Sequence, residues 1–119
     1  MRILHLLSQI PDATGSGKYV QEMILQALGN KHKAFLVTGV PKEYSLAGTP
    51  LARAIAPEQC LFVRFGGQDL EYNVVGMSDV MPYQSTVCSH LDSQDIQAYS
   101  TAFEQAVAQA VARFTPDLI

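Results

Sequence analysis

The sequence predicts an α/β fold in which a parallel β-sheet carries helices on both faces. Two apolar runs with a helically spaced segment between them make one strand–helix–strand unit. A third apolar run and a long amphipathic segment follow. Runs that are apolar without alternation read as strands buried on both faces, the habit of parallel sheets.

The first run, 2–7, is such a strand. Residues 9–17 form a loop marked by Pro11, Asp12, Gly15, Ser16 and Gly17. Val20, Met23, Ile24, Ala27 and Leu28 then recur at helical spacing, and Gly29 and Asn30 close the helix. Lys31, His32 and Lys33 make a polar turn at the negative end of its dipole. Residues 34–38 are the second strand, expected to end at Gly39 and Pro41 after a right-handed crossover. Thr49 and Pro50 predict a short helix to Ile55 or Ala56, with Thr49 as its cap. Residues 60–65 are the third strand, stopped by Gly66 and Gly67.

Residues 68–91 read as a long loop rich in apolar and aromatic side chains, among them Tyr72, Val74, Val75, Met77, Val80 and Met81. A connection of this kind is unusual unless it lines a site or packs on something. Asp92 or Ser93 then caps a long helix whose stripe, from Ile96 through Tyr99, Phe103, Val107, Ala110 and Val111 to Phe114, is expected to be core. Pro116, Asp117, Leu118 and Ile119 read as the start of another buried strand. Residues 1–119 are therefore expected to form one incomplete domain of a longer chain.

Composition narrows the function. Apolar residues are 48% of the 119 and charged residues 16%, against about a quarter charged on average. Such a surface suits covering by another domain or copy, and a homodimer of the fragment is expected. The net charge of −3 and the lack of a Lys/Arg cluster argue against nucleic acid as a partner. Cys60 and Cys88 are too few for a disulfide scaffold and read as free buried thiols of a cytosolic protein. The apolar start has no signal-peptide pattern, and no run approaches the ~20 residues of a membrane span. His5, His32 and His90 are not at metal-ligand spacing. His5 reads as a satisfied interior histidine or one at a strand end facing a cleft.

The chemistry centres on Gly15, Ser16, Gly17 and Lys18, which lead from a strand into a helix. A helix start offers unpaired N–H groups and positive dipole charge to an anion. A P-loop fits poorly, because Asp12 holds its first glycine position and Tyr19 its magnesium-binding hydroxyl position. A dinucleotide loop also fits poorly: Val20 stands where Gly or Ala belongs, and the second strand ends in Thr38 and Gly39 rather than an acid. The simplest alternative is a strand-to-helix turn whose glycines serve conformation alone. Asp12 and Asp79 are candidates to hold ligand hydroxyls at the C-terminal edge of the sheet, and Tyr83 and Tyr72 to stack on a sugar, against plain roles as loop carboxylates and packing groups.

A third reading takes the opening strand, Gly15, Ser16 and Gly17 before the helix, and the strand at 34–38 together with 76–83, the long helix and 114–119. In this combination the chain resembles the N-terminal domain of group-1, glycogen-synthase-like glycosyltransferases of the GT-B fold, over essentially its whole length. The resemblance implies two Rossmann-like domains facing across a cleft, the first holding a sugar or small-molecule acceptor and the second most of the nucleotide-sugar donor. It implies transfer with retention of configuration, without a metal or a cofactor beyond the co-substrate. It places Gly15, Ser16, Gly17 and Lys18 near the donor diphosphate, with Asp12, Asp79 and Tyr83 as acceptor-side candidates. No catalytic residue is carried over, because those of the family lie beyond Ile119, so the fragment alone is expected to be inactive. A cytoplasmic parent, with or without membrane association, is implied. The family's loop is often Gly-Gly, whereas here Ser16 separates the glycines. A small-molecule kinase and a non-enzymatic interaction domain are the competing classes.

Overall fold

The computed structural model describes residues 1–77 and 80–119. Its centre is a three-stranded parallel sheet of β1 (Arg2–Leu7), β2 (Lys33–Pro41) and β3 (Cys60–Phe65), in that spatial order. Leu4 lies beside Phe35, and Val37 beside Leu61. The chain end adds a fourth position on the far side of β1. Leu118 bridges Ile3 in parallel, Leu4 N–H donates to the Leu118 carbonyl at 2.9 Å, and Arg2 N–H donates to Asp117 Oδ2 at 2.8 Å. Where a buried terminal strand was expected, the described residues show a single bridge, and Leu118 and Ile119 are exposed.

Helices α1 (Gly15–Gly29) and α2 (Ser93–Phe114) cover opposite faces. The pleat sends alternate residues each way. Ala34, Leu36 and Cys60 meet Ile24 of α1, with Leu51 and Ile55 beside them. Leu4, Phe35, Val37, Val63 and Phe65 meet Phe103, Ala110 and Phe114 of α2. The α/β class with helices on both faces is therefore what the chain adopts. Among the described residues no helix is long and apolar enough to cross a membrane.

Several expectations need correction. β2 does not stop at Gly39 but runs through it to Pro41. Gly39 stays in the strand because a Cβ there would sit 2.5 Å from the Ser8 carbonyl oxygen, so the position needs the small residue rather than a break. The helix expected from Pro50 is a single 3-10 turn, Pro50–Arg53, and the Thr49 hydroxyl donates back to the Leu46 carbonyl instead of capping it. The long loop contains two short parallel strands, β4 (Val75–Gly76) and β5 (Thr86–Val87). The stripe on α2 is wider than the buried face: Ile96 and Val111 are exposed, while Phe103, Ala110 and Phe114 are buried. The helix starts as predicted, with Asp92 and Asp95 in a reciprocal capping box.

The cysteines also divide. Cys60 is buried, and burial pushes its thiol up to about 12, whereas Cys88 is exposed. The thiolate is the reacting form. At about pH 8 a disulfide reagent is expected to modify Cys88 in the native protein and Cys60 only on unfolding. Counting thiols released with and without denaturant checks this; two native equivalents would contradict it.

Candidate functional site

The C-terminal edge of the sheet, where open α/β folds bind ligands, is built by the ends of β1 and β2, the start of α1 and the first turns of α2. At Leu7 the chain leaves the sheet and passes through Ser8 and Gln9. The Thr38 hydroxyl pins that exit by donating to the Gln9 carbonyl at 2.6 Å. The chain then turns into α1, which begins earlier than its apolar spacing suggests: Gly15, Ser16 and Gly17 are its first turn, not loop.

Thr14 is the N-cap, a residue the sequence reading passed over. Its Oγ1 accepts from Gly17 N–H at 2.9 Å, and its carbonyl accepts from Lys18 N–H at 2.9 Å. That leaves the Gly15 and Ser16 N–H groups without an acceptor among the described residues. The first turn contains no acidic residue, and Asp12 is the nearby carboxylate, in a depression it shares with Lys18.

The two glycines have different reasons. A Cβ on Gly17 would run into the Ile10 carbonyl oxygen and lie 3.0 Å from Pro11 C, so this glycine lets the helix start pack on the loop. Gly15 faces open space. Between them Ser16 donates to Gln9 Oε1 at 2.9 Å and lies 3.1 Å from Thr14 Oγ1. Lys18 is exposed, over a shallow depression of about 360 Å³ that it shares with Asp12 and Glu22.

Asp12 is half-buried. Its Oδ1 and the Tyr44 hydroxyl are both enclosed without a hydrogen-bond partner of normal geometry. Burial, then the nearby Asp12 charge, raises Tyr44 far above its ordinary value. Asp79, expected to meet Asp12, lies outside the described residues. Tyr83 is half-buried against the α2-side core, with its hydroxyl enclosed and burial raising its pKa; it is placed as a packing group beside the loop at Ile10. Tyr72 donates to the Asp95 carbonyl at 2.8 Å and packs edge-on to Phe65, which is the structural role rather than sugar stacking.

On the α2 side of the same edge lies a cavity of about 370 Å³. Ser8, Gln9, Val75, Cys88, Tyr99 and Ser100 line it, with Gly76, Met77, Leu91 and Ile96. Burial raises Tyr99, partly opposed by the Ser8 hydroxyl beside it, with the Cys88 thiol also close. The loop at 68–91, expected to line a site or to pack, supplies Val75, Gly76, Met77, Cys88 and Leu91, while the residues from 8–9 and 96–100 join them only through the fold. Gln9 belongs both to the cavity and, through Ser16, to the helix start. A second cavity of about 370 Å³, around Tyr44, Ile55, Phe62 and Arg64, lies beside β3, and none of Gly15, Ser16, Gly17 or Lys18 lines it.

His5 departs from expectation. Its Nε2 is enclosed with no hydrogen-bond partner among the described residues, so it is not a satisfied histidine. Burial lowers its pKa below the ordinary 6.5. Just below 6.5 the unfolded chain then binds more protons than the folded one, so stability rises with pH there. The contribution is complete above the unfolded value and is lost as pH falls toward the folded one. His5→Gln is expected to flatten that part of the profile, read as urea midpoints at about pH 5 and 7.5. An unchanged slope would contradict it.

Among the described residues no group of three or more His, Cys, Asp or Glu side chains is placed to hold a metal ion. Compared with family models, curated proteins and solved structures, the chain finds no match. Fold and site together define an open parallel α/β domain with a cavity and a helix start linked through Gln9 at its C-terminal edge.

Proposed function

We propose that this domain is the acceptor side of a retaining, nucleotide-sugar-dependent glycosyltransferase with GT-B architecture. The observation that carries the reading is the link through Gln9 between the α1 start and the α2-side cavity. Chemistry that joins a diphosphate-activated sugar to an acceptor needs an anion site and an acceptor site within one bond's reach. The Gly15 and Ser16 N–H groups suit a donor phosphate oxygen, and the cavity suits an acceptor. In this reading Lys18 adds charge at the rim, a second domain holds the rest of the donor, and the parent works in the cytoplasm. The exposure of Leu118 and Ile119 at the sheet edge supports self-association of the chain.

The test is calorimetric titration with the nucleoside diphosphate UDP. Binding is expected to weaken with added salt and to fall about tenfold or more in Ser16→Asp, which puts a carboxylate where the anion sits. MgATP bound more tightly than UDP, with the difference lost in Lys18→Ala, would favour a kinase and overturn the reading. A second reading, an interaction domain, draws on Met77 and Val80, which are 84% and 83% exposed. It predicts no UDP binding at all.

A further inference from the structure

We infer that the α2-side cavity accepts the apolar body of a neutral alcohol of phenol or naphthol size, rather than a hydroxyl-rich sugar. The inference rests on the acceptor-side reading and gives its substrate class. Most of the wall surface is apolar, with Val75, Met77, Leu91 and Ile96 among the residues that form it, and among the described residues no lining side chain is charged. A charged acceptor would therefore lose its water without gaining a partner. A pyranose brings a hydroxyl on almost every carbon, and each one buried against this wall would be left unpaired. An aromatic or alkyl body has no such requirement.

The side chains of Ser8, Gln9, Tyr99 and Ser100 and the Cys88 thiol supply the polar part of the lining. Ser8 lies beside the Tyr99 hydroxyl, and Gln9 leads from there to the helix start. A ligand hydroxyl held by Ser8 and Tyr99 would lie beside Gln9, on the side of the anion site where a donor sugar is presented. At about 370 Å³ the cavity sits at the small end of the range for ligand sites, which suits one ring or two fused rings. Apolar side chains at the mouth agree: Met77 is 84% and Ile96 52% exposed, where solvent alone would favour polar residues.

Cys88 gives a reporter, since it lines the cavity and is exposed while Cys60 is buried. The experiment follows the reaction of Cys88 with a disulfide reagent on the full chain at about pH 7.5, with 2-naphthol or glucose added. At ten times its dissociation constant, a ligand covering the thiol slows the reaction about tenfold by mass action. That is the result expected for 2-naphthol, with glucose changing the rate less than about twofold at equal concentration. Ser100→Leu, which fills the cavity from α2, is expected to abolish protection while its far-UV circular dichroism and melting stay native. Protection by glucose but not naphthol, by neither, or equal protection by naphthol in Ser100→Leu overturns the inference. UDP titration separates the two levels. UDP binding without naphthol protection rejects the substrate class alone, and naphthol protection without UDP binding rejects the acceptor-side reading on which it rests.

Discussion

Phe65→Ala is expected to destabilise the domain by about 3–5 kcal/mol, the usual cost of emptying a buried aromatic site. Phe65 is 1% exposed and ends β3 at the junction of the core and the candidate site. Its ring centroid lies 5.8 Å from Tyr72, 6.3 Å from Tyr99 and 6.4 Å from Phe103. Its Cε2 is also the atom that faces the bare Cα of Gly39. Removing the ring leaves a void among side chains that cannot collapse without moving β2 or α2. Domains of this size hold only about 5–15 kcal/mol, so the variant sits near the edge of folding. A fall in melting temperature of about 10–20 °C follows from the entropy of unfolding for such chains. Tyr99 loses a wall at the same time, so naphthol protection of Cys88 is expected to weaken even where the variant remains folded. Urea unfolding with a native-like slope and a midpoint within error of the parent would contradict this role.

The second large effect is a contrast between two glycines. Gly17→Ala is expected to cost about 1–3 kcal/mol through overpacking, because its methyl meets the Ile10 carbonyl and the Pro11 backbone, which have little room to retreat. Pro11 is itself fully buried. Gly15→Ala meets nothing within 4 Å and carries no positive φ. It is expected to be neutral or to stabilise by up to about 1 kcal/mol, since alanine is the better helix residue. Denaturation midpoints of the two variants measure the difference. Equal effects would mean that the helix start is not wedged onto the loop. Beyond stability, Gly17→Ala displaces the Ile10 and Pro11 backbone and with it Gln9, so UDP binding is expected to fall in that variant and persist in Gly15→Ala.

Much of the fold is legible from the chain because apolar runs leave a plain trace, though only β2 is buried on both faces and Leu6 of β1 is exposed. The runs of β1 and β3, apolar but for Arg2, His5 and Arg64, have limits that match the observed strands. The end of α1 at Gly29 and Asn30 and the cap of α2 at Asp92 follow from local chemistry that tertiary contacts do not override. Gly39 is different. Its smallness serves an approach by Ser8, thirty-one positions earlier, and nothing local distinguishes that from a strand terminator. Thr14 was legible in principle, as a hydroxyl residue just before a helix, but the glycines drew the boundary three residues late. The glycine loop's place at the sheet edge was legible, and of the cavity only the contribution of the apolar loop at 68–91 was. Its walls come from residues 8–9, 75–77, 88–91 and 96–100, and only the crossing of β1 by α2 brings them together. Tyr83 and Tyr72 were named as ligand aromatics by type, and the structure shows both partly buried against the α2-side core.

The most direct test of the whole account is a map of backbone amide shifts in isotopically labelled protein during titration with UDP, followed by 2-naphthol. UDP is expected to move Gly15 and Ser16 first, with Gln9 following through its bond to Ser16, and naphthol to move Ser8, Gly76, Tyr99 and Ser100. Shifts that gather instead at the opposite edge of the sheet, around Met1 and His32, or an unmoved Gly15 and Ser16 at saturating UDP, would contradict it.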